Sequence, residues 1–249
     1  VVKSSDKKPD KGKMSQRDKR LKQLDDMMKD ARAYLSAKDN GTLTGTDQRW
    51  EAMIPALNKE IPIFIHANRV LQIKAAIEWS ARQDVKMVLV GGADSWRVTD
   101  LLRTNHIPVI FEHPLSTPIR RDESTDTKYA VPSLLFENGV KFCVSASSST
   151  FEAPHQRNVP YEAAMAAAYG LPPEEALKSV TLYTAEILGV DDRVGSLDIG
   201  KDATMIVTDG DPLEITTHVE LAFIQGKPVD LSDRHKVLYE KYRQKYLQK

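Results

Sequence analysis

Four short apolar runs, each followed by a helical pattern, dominate the middle of the chain. Val, Ile, Leu and Phe fill these runs, with little of the polar alternation of a half-exposed strand. Strands that are apolar on both faces are typical of a parallel sheet covered by helices. Four such units predict an α/β fold, either a (β/α) barrel or a doubly wound sheet. The runs lie at 61–65, 85–90, 107–111 and 140–144.

The segments that flank these units have different patterns, so the sequence predicts a division into four parts. Residues 1–20 are rich in Lys and Arg and predict a basic flexible tail, while helical spacing over roughly 16–37 predicts an amphipathic helix. Residues 21–190 form the partial barrel. Two short apolar runs between turn residues in 191–230 predict a small antiparallel segment. Residues 231–249 predict a C-terminal helix that packs through an apolar stripe.

Composition narrows the classes of partner. The 249 residues contain 35 Lys and Arg and 35 Asp and Glu, so zero net charge gives no whole-chain reason to expect nucleic acid or a membrane surface. A single cysteine excludes a disulfide framework and a zinc site built from several cysteines. The basic tail is either a polyanion-binding arm or a charged lead-in to the helix. We favour the lead-in, because no aromatic residue interleaves with its basic residues.

Candidate chemistry lies where the predicted strands end. In parallel α/β sheets the reactive groups come from the loops at the carboxyl ends of the strands. His66 follows the first run, Asp94 the second, and Glu112 and His113 the third. A histidine at a strand end suits a divalent metal ion. The alternative for His66 is a structural histidine held by hydrogen bonds.

The fourth run is followed by serines and then by polar residues in a loop. The serines Ser145–Ser149 lack the Gly-x-Ser-x-Gly pattern of a nucleophile elbow, which argues against a serine nucleophile. His155, Arg157 and Asn158 are candidates for contact with a small-molecule substrate. Cys143 lies within the apolar run, so we predict it to be a core residue and not a reactive thiol.

The last third of the chain carries motifs that resemble a known family. Residues 195–203 (GSLDIGKDA) and 209–213 (DGDPL) resemble the C-terminal signature of the amidohydrolase superfamily, in its imidazolonepropionase-like branch. Residues 219–229 resemble the closing strands of that signature, and 181–189 resemble the helix before it. Residues 62–67 are similar to the fifth barrel strand. The resemblance extends over about residues 50–230.

This resemblance implies a fold, a reaction and a cofactor. The fold is a (β/α)8 barrel with a small β-sandwich built from segments that flank the barrel. The reaction is hydrolysis of carbon–nitrogen bonds, non-peptide or dipeptide-like, in a small-molecule substrate. The implied catalyst is a water molecule activated by a divalent metal ion, with zinc the expected metal. His66 corresponds to the metal-binding histidine of strand five.

Other family positions carry different residues in this sequence. The family's strand-six histidine falls at Gly91 or Gly92, which have no ligating side chain. Its strand-eight aspartate, the proton acceptor, falls near Ser147. The first histidine of the chain is His66, so the metal-binding motifs of strands one to four do not occur in it. Asp94, Glu112 and His113, which lie at the ends of the predicted strands, are the possible replacement ligands.

The number of predicted strands leads to two hypotheses about function. Four units make the second half of a barrel that needs eight, so the other half must come from upstream sequence or from another chain. The chain begins Val-Val-Lys without an initiator Met, which agrees with a piece of a longer protein. The first hypothesis is a C-terminal half of a metal-dependent amidohydrolase that is inactive alone. The second is a catalytically silent barrel domain that binds a ligand or serves assembly.

Overall fold

The computed structural model describes residues 16–146, 150 and 153–247, and these form an α/β fold around a parallel sheet. The strand order in the sheet follows the chain, β1-β2-β3-β4, and β3 lies parallel to both β2 and β4. The prediction of a parallel α/β sheet is therefore confirmed. The strands are β1 (Ile63–Ala67), β2 (Met87–Gly91), β3 (Val109–Glu112) and β4 (Phe142–Ser145).

Helices separate the strands, and others flank the sheet in sequence. None of the helices in the described part of the chain has both the length and the apolar character needed to cross a bilayer. Short 3-10 turns occur at Ser95–Arg97 and Ala153–Asn158. The helices are α1 (Gln16–Asp39), α2 (Gln48–Glu51), α3 (Ile54–Leu57), α4 (Val70–Arg82), α5 (Thr99–Thr104), α6 (Thr127–Glu137), α7 (Val159–Ala168), α8 (Pro173–Ser179), α9 (Leu182–Leu188) and α10 (Arg234–Leu247).

Two prolines determine where β1 and β3 begin. The apolar runs predicted these strands at 61–65 and 107–111, but each strand starts at the residue after a proline, Pro62 or Pro108. Proline lacks the N–H that a strand donates to its neighbour, so the hydrogen-bonded ladder starts one residue later. Each strand also extends further than predicted. His66 and Glu112 therefore lie within strands and not in the loops after them.

The sheet has a core on each of its faces. Leu89, Val109 and Phe111 belong to the larger core, which also contains buried residues of α4, α5, α6, α7 and α8. On the opposite face, Val88 and Cys143 pack against Ile187 of α9. Cys143 is 2% exposed, so its prediction as a core residue is confirmed. Burial on both faces explains why these strands lack polar alternation.

The chain divides into two compact units whose boundaries differ from the predicted ones. One unit comprises the described part of Val1–Ile63 together with Glu78–Lys86, and the other comprises Phe64–Ile77 together with Met87–Lys249. Helix α1 begins at Gln16, inside the segment predicted as a tail, with acidic Asp18 in its first turn. The rest of the predicted tail lies outside the described residues.

Polar contacts bind the first unit together. Asp25 of α1 accepts hydrogen bonds from Trp79 Nε1 at 3.0 Å and from Gln83 Nε2 at 2.8 Å. Arg32 of the same helix donates to Gln83 Oε1 at 2.8 Å. These bonds tie the C-terminal turns of α4 to the amphipathic helix that the sequence predicted. Met28 and Ala31 form the apolar side of α1 in this unit, and both are fully buried.

The C-terminal part contains a second sheet and a helix that buries nothing. Strands β5 (Met205–Thr208), β6 (Val219–Ile224) and β7 (Lys227–Pro228) form an antiparallel sheet. Helix α10 has no buried residue, and Val237 and Tyr246 are more than half exposed. The prediction that this helix packs through its stripe is wrong for the described chain, because no described element covers the stripe.

Candidate functional site

Three polar side chains share one face of the sheet at the carboxyl ends of its strands. Ala67 belongs to the larger core, so the preceding His66 points to the opposite face. Ser145 lies two residues after Cys143, whose side chain packs against α9 on that same opposite face. Glu112 pairs in register with Ser145, and neighbours in register share a face. The sheet thus presents His66, Glu112 and Ser145 beyond the area that α9 covers.

These residues do not form a metal site by themselves. Strand β2 lies between β1 and β3, so the backbones at His66 and Glu112 are about 10 Å apart. Within residues 16–146, 150 and 153–247, no group of three or more His, Cys, Asp or Glu side chains is arranged to hold a metal ion. His66 is exposed. Its role as a ligand stays a prediction, as do those of Glu112 and His113.

Asp94, another predicted ligand, takes part in a buried ion pair. Its side chain is buried beyond the end of β2, and its oxygens lie 2.6 and 2.8 Å from the guanidinium of Arg120. One oxygen also accepts the Val70 N–H at the start of α4, at 3.1 Å. The Arg120 hydrogen bonds hold the pKa of Asp94 below its usual value, against the opposing effect of burial. A metal ion at Asp94 would have to displace Arg120.

The same arginine ties the loop after β3 to the end of β2. Arg120 also contacts Glu123, and Arg97 lies 3.3 Å from a Glu123 carboxylate oxygen. Neither Arg120 nor Glu123 could be singled out from the sequence, because a run of charged residues in a polar loop has no spacing that marks a partner. This network therefore fixes the loop after β3 against the end of β2.

The backbone and close packing favour glycine at the end of β2, at Gly91 and at the following Gly92. Gly91 and Gly92 have φ of +92° and +65°, a region that favours glycine. A Cβ atom on Gly91 would lie 2.6 Å from Oδ1 of Asn68, and one on Gly92 would lie 3.0 Å from Val109 Cγ1. A side chain at Gly91 would therefore require the Asn68 amide to move, and a side chain at Gly92 would crowd Val109.

His113 follows β3 in a tight turn against the end of β4. Its backbone has φ of +57°, and its N–H donates to the Ser145 carbonyl at 3.0 Å. Its Nδ1 lies 3.4 Å from Oε1 of Glu162, a side chain of α7. Glu162 is 5% exposed, and its other oxygen accepts the Leu115 N–H at 2.6 Å. Glu162 could not be singled out from the sequence, because it lies 49 residues from His113 in a helical segment.

A half-buried lysine lies beside this turn. Lys128 donates to Ser116 Oγ at 2.7 Å, and that hydroxyl donates to the His113 carbonyl at 2.7 Å. Burial lowers the pKa of Lys128, and the negative charges of Glu123 and Glu162 oppose that shift. The turn from His113 to Ser116 is therefore held by α6 as well as by α7.

The predicted substrate contacts lie before α7. His155 and Arg157 are exposed and Asn158 is half-buried, all within the 3-10 turn Ala153–Asn158. Their role in binding substrate stays a prediction. Ser147, predicted to occupy the position of the catalytic aspartate, lies outside the described residues.

Comparison with known proteins finds similarity to one family. The family model of the amidohydrolase family matches residues 129–232. Amidohydrolase tasK of Hapsidospora irregularis is 27% identical over 205 residues, which are 76% of this chain and 20% of tasK. Imidazolonepropionase of Shewanella frigidimarina is 43% identical over 58 residues, 23% of this chain and 13% of that enzyme. The chain therefore spans only a small part of the length of these curated relatives.

A solved structure supports the same assignment. The amidohydrolase from Thermotoga maritima MSB8 superposes with a TM-score of 0.74 at 27% identity, over 84% of this chain and 55% of the Thermotoga chain. The family model covers the segment in which the sequence signature was found, and the structural match extends over most of this chain. The family model, the curated relatives and the solved structure together support membership of the amidohydrolase superfamily.

Proposed function

We propose that the chain contributes the strand-five-to-eight part of a hydrolase that cleaves carbon–nitrogen bonds in a small molecule. The bonds are non-peptide or dipeptide-like, as the resemblance implies. The observation that carries this proposal is the shared placement of His66, Glu112 and Ser145 on one sheet face at the carboxyl ends of the strands. In this superfamily's fold class, that edge is where substrate meets the reactive groups.

The cofactor proposal has to account for the residues that are present. Amidohydrolases are generally metal-dependent, and a divalent metal bound there would supply an activated water and polarise the scissile carbonyl. A catalytic zinc needs three protein ligands. The described residues of this chain do not fit that requirement, since they form no such group and the Asp94 carboxylate is engaged by Arg120. The remaining ligands would have to come from outside the described residues.

The four-stranded parallel sheet also supports the proposal that this chain is one part of a larger enzyme. We propose that β1–β4 are one half of an eight-stranded barrel, with the other half supplied by upstream sequence or another chain. We also propose that β5–β7 belong to the small sandwich. Ile206, Leu221 and Ile224 of these strands are all more than half exposed. Apolar strand residues of that kind are usually covered by a further layer of structure.

An assay of bond cleavage tests the function. The assay compares two proteins, the 249-residue chain alone and the same chain joined to the sequence encoded upstream of it. Each is incubated with N-acyl amino acids, dipeptides and small cyclic amides in the presence of Zn²⁺. We expect release of amine only from the longer protein, and loss of about 100-fold or more in its His66→Ala variant, since a ligand is removed. His235→Ala, which removes an exposed histidine of α10, is the matched control and retains activity. Full activity in His66→Ala contradicts the proposal.

A catalytically silent domain is the second candidate. The turn at Gly91 and Gly92 favours it, because the residues that correspond to the family's strand-six ligand have no ligating side chain. Such a domain would bind a ligand or serve assembly without turnover. If the longer protein binds a compound from the same panel by calorimetry and releases no amine from any of them, this second candidate replaces the first.

A further inference from the structure

Helix α10 lies just outside the segment that matches the family. The family model ends at residue 232, and α10 begins at Arg234. Asp233 caps the helix, since its Oδ1 accepts the N–H groups of His235 at 2.7 Å and Lys236 at 2.9 Å. The match to the family model therefore does not explain why the chain carries this helix.

A helix of this length needs a surface to pack against. Helix α10 has 14 residues, and an isolated helix of about that length is only marginally stable in water. Most helices in proteins are stabilised by packing of one side. In the described part of the chain α10 buries no residue, so the surface that stabilises it lies elsewhere.

Three tyrosines line one side of this helix. Tyr239, Tyr242 and Tyr246 recur at intervals of three and four residues, and their exposed fractions are 65%, 50% and 69%. A helix turns by about 100° per residue, so Arg243 lies next to this side and Lys241 lies on the opposite one. We call Tyr239, Tyr242, Arg243 and Tyr246 the tyrosine stripe. It combines exposed aromatic surface with a positive charge.

The hairpin formed by β5 and β6 has the opposite charge. The helix contains five Lys and Arg and one Glu, a net charge of +4 with histidine neutral. Residues 205–224, which we call the acidic hairpin, contain four Asp and Glu and neither Lys nor Arg, a net charge of −4.

The acidic hairpin also exposes apolar side chains beside its carboxylates. Ile215 is 74% exposed next to Glu214, and Leu221 is 53% exposed next to Glu220. Both glutamates are exposed, and neither forms an ion pair with another residue in the described part of the chain. The hairpin therefore matches the tyrosine stripe in apolar character and complements it in charge.

We propose that the tyrosine stripe docks on the acidic hairpin of a second copy of this chain, so that Arg243 meets Glu220. Two α10 helices would repel each other, because both are basic, whereas a basic helix and an acidic hairpin attract. In a twofold dimer each copy supplies one helix and one hairpin, so the contact occurs twice. The stripe covers one face of the hairpin, and the other face remains for the proposed sandwich layer.

The area of this contact is enough for a specific dimer. A fully buried tyrosine hides about 150–250 Å², so at the exposed fractions above the three tyrosines of one helix supply roughly 350 Å². With a similar area on each facing hairpin, the two contacts bury about 1,400 Å² in total. Specific interfaces bury about 1,200–2,000 Å². We expect association in the micromolar range.

Sedimentation velocity of the purified 249-residue chain measures this association. We expect a dimer at about 100 μM that dissociates on dilution and at high salt, because salt screens the paired charges. Tyr242→Ala should weaken association by about 100-fold, since an aromatic anchor is lost at both contacts. Val237→Ala, which removes an exposed side chain on the opposite side of the helix, is its control and should have little effect.

The charged part of the contact is tested by charge reversal. Arg243→Glu should weaken association by about 10-fold or more, since attraction becomes repulsion at both contacts. Lys241→Glu makes the same change on the opposite side of the helix and is the matched control. Every substituted residue is exposed, so we expect each variant to fold.

Mixing two charge-reversed chains tests the pairing of helix with hairpin. Glu220→Lys reverses a charge on the hairpin and, alone, should weaken association as much as Arg243→Glu does. In an equimolar mixture of the two variants, the reversed helix meets the reversed hairpin, and the two native surfaces meet at the other contact. The mixture should therefore associate as tightly as the wild type.

The other outcomes contradict the proposal. A wild-type chain that stays monomeric at about 100 μM overturns it, because α10 then packs in its own chain or on upstream sequence. A mixture that associates no more tightly than its two components also overturns it. Tighter association of Arg243→Glu alone indicates that two α10 helices pair, and equal effects of Arg243→Glu and Lys241→Glu indicate association through a different surface.

Discussion

Replacing Asp94 by asparagine probes the buried ion pair that joins the end of β2 to the loop after β3. The substitution keeps the shape and removes the charge that Arg120 and the Val70 N–H bind. Hydrogen bonds to charged groups contribute about 1.5–3 kcal/mol net. Loss of one partner from a fully buried pair costs about 3–5 kcal/mol. The Arg120 side chain is 34% exposed, so water can solvate it, and we expect Asp94→Asn to lose about 2 kcal/mol of unfolding free energy.

The loss should depend on pH in a defined direction. Because the Arg120 hydrogen bonds hold the folded pKa of Asp94 below the unfolded value of about 3.9, the contribution is present above that value. It is lost as the pH falls through the folded pKa. The variant lacks the carboxyl group that titrates. The difference between wild type and variant is therefore largest near neutral pH and shrinks below about pH 4.

Urea denaturation followed by circular dichroism at pH 7 and at acidic pH measures this difference. Asp100→Asn is the matched control, because that carboxylate is 84% exposed and forms a surface pair with Arg103 at 2.9 Å. The control should change stability little, since exposed pairs contribute little. Equal stability of wild type and Asp94→Asn at neutral pH would refute the reasoning. So would a loss that stays constant into the acid range.

One further substitution and one thiol-labelling reaction test local features of the fold. Gly91→Ala should lower the melting temperature more than Gly189→Ala. Both positions have positive φ, but only a Cβ atom on Gly91 would contact Asn68. Equal shifts of the melting temperature in the two variants would contradict this. The thiol of Cys143, whose pKa burial raises to about 11, should react with a disulfide reagent far more slowly in the native chain than in denaturant. Relative to a free thiol of pKa about 8.5, the raised pKa alone reduces the thiolate fraction by about 300-fold. Rapid labelling of Cys143 in the native chain would contradict its burial.

Continuous apolar runs were enough to predict the sheet, because burial on both faces leaves a simple signature in the sequence. The run at 85–90 corresponds to β2, and the two short apolar runs in 191–230 correspond to β5 and β6. The superfamily assignment came from local motifs such as 195–203, which a sequence displays without a structure. The apolar runs and the motifs are each formed by residues that are close together in the chain, so both can be recognised from the sequence alone.

The site could be predicted only in part, because its contacts join distant segments. His66 and Glu112 were candidates, because strand ends mark such positions. Glu162 and Arg120 were not, because their roles depend on which helix and loop pack beside which strand. Helix α10 was predicted to pack because its apolar residues recur at helical spacing, but spacing does not show whether a partner surface is present.

The central claim is that the strand ends of this chain belong to an amidohydrolase site, and that this chain alone does not supply all of the metal ligands. The zinc content of the purified chain tests this claim most directly. The measurement is the number of zinc ions per 249-residue chain, by elemental analysis after dialysis against zinc-containing and then zinc-free buffer. We predict less than one zinc per chain, since the described residues form no three-ligand group. One or two tightly held zinc ions per chain would contradict the claim.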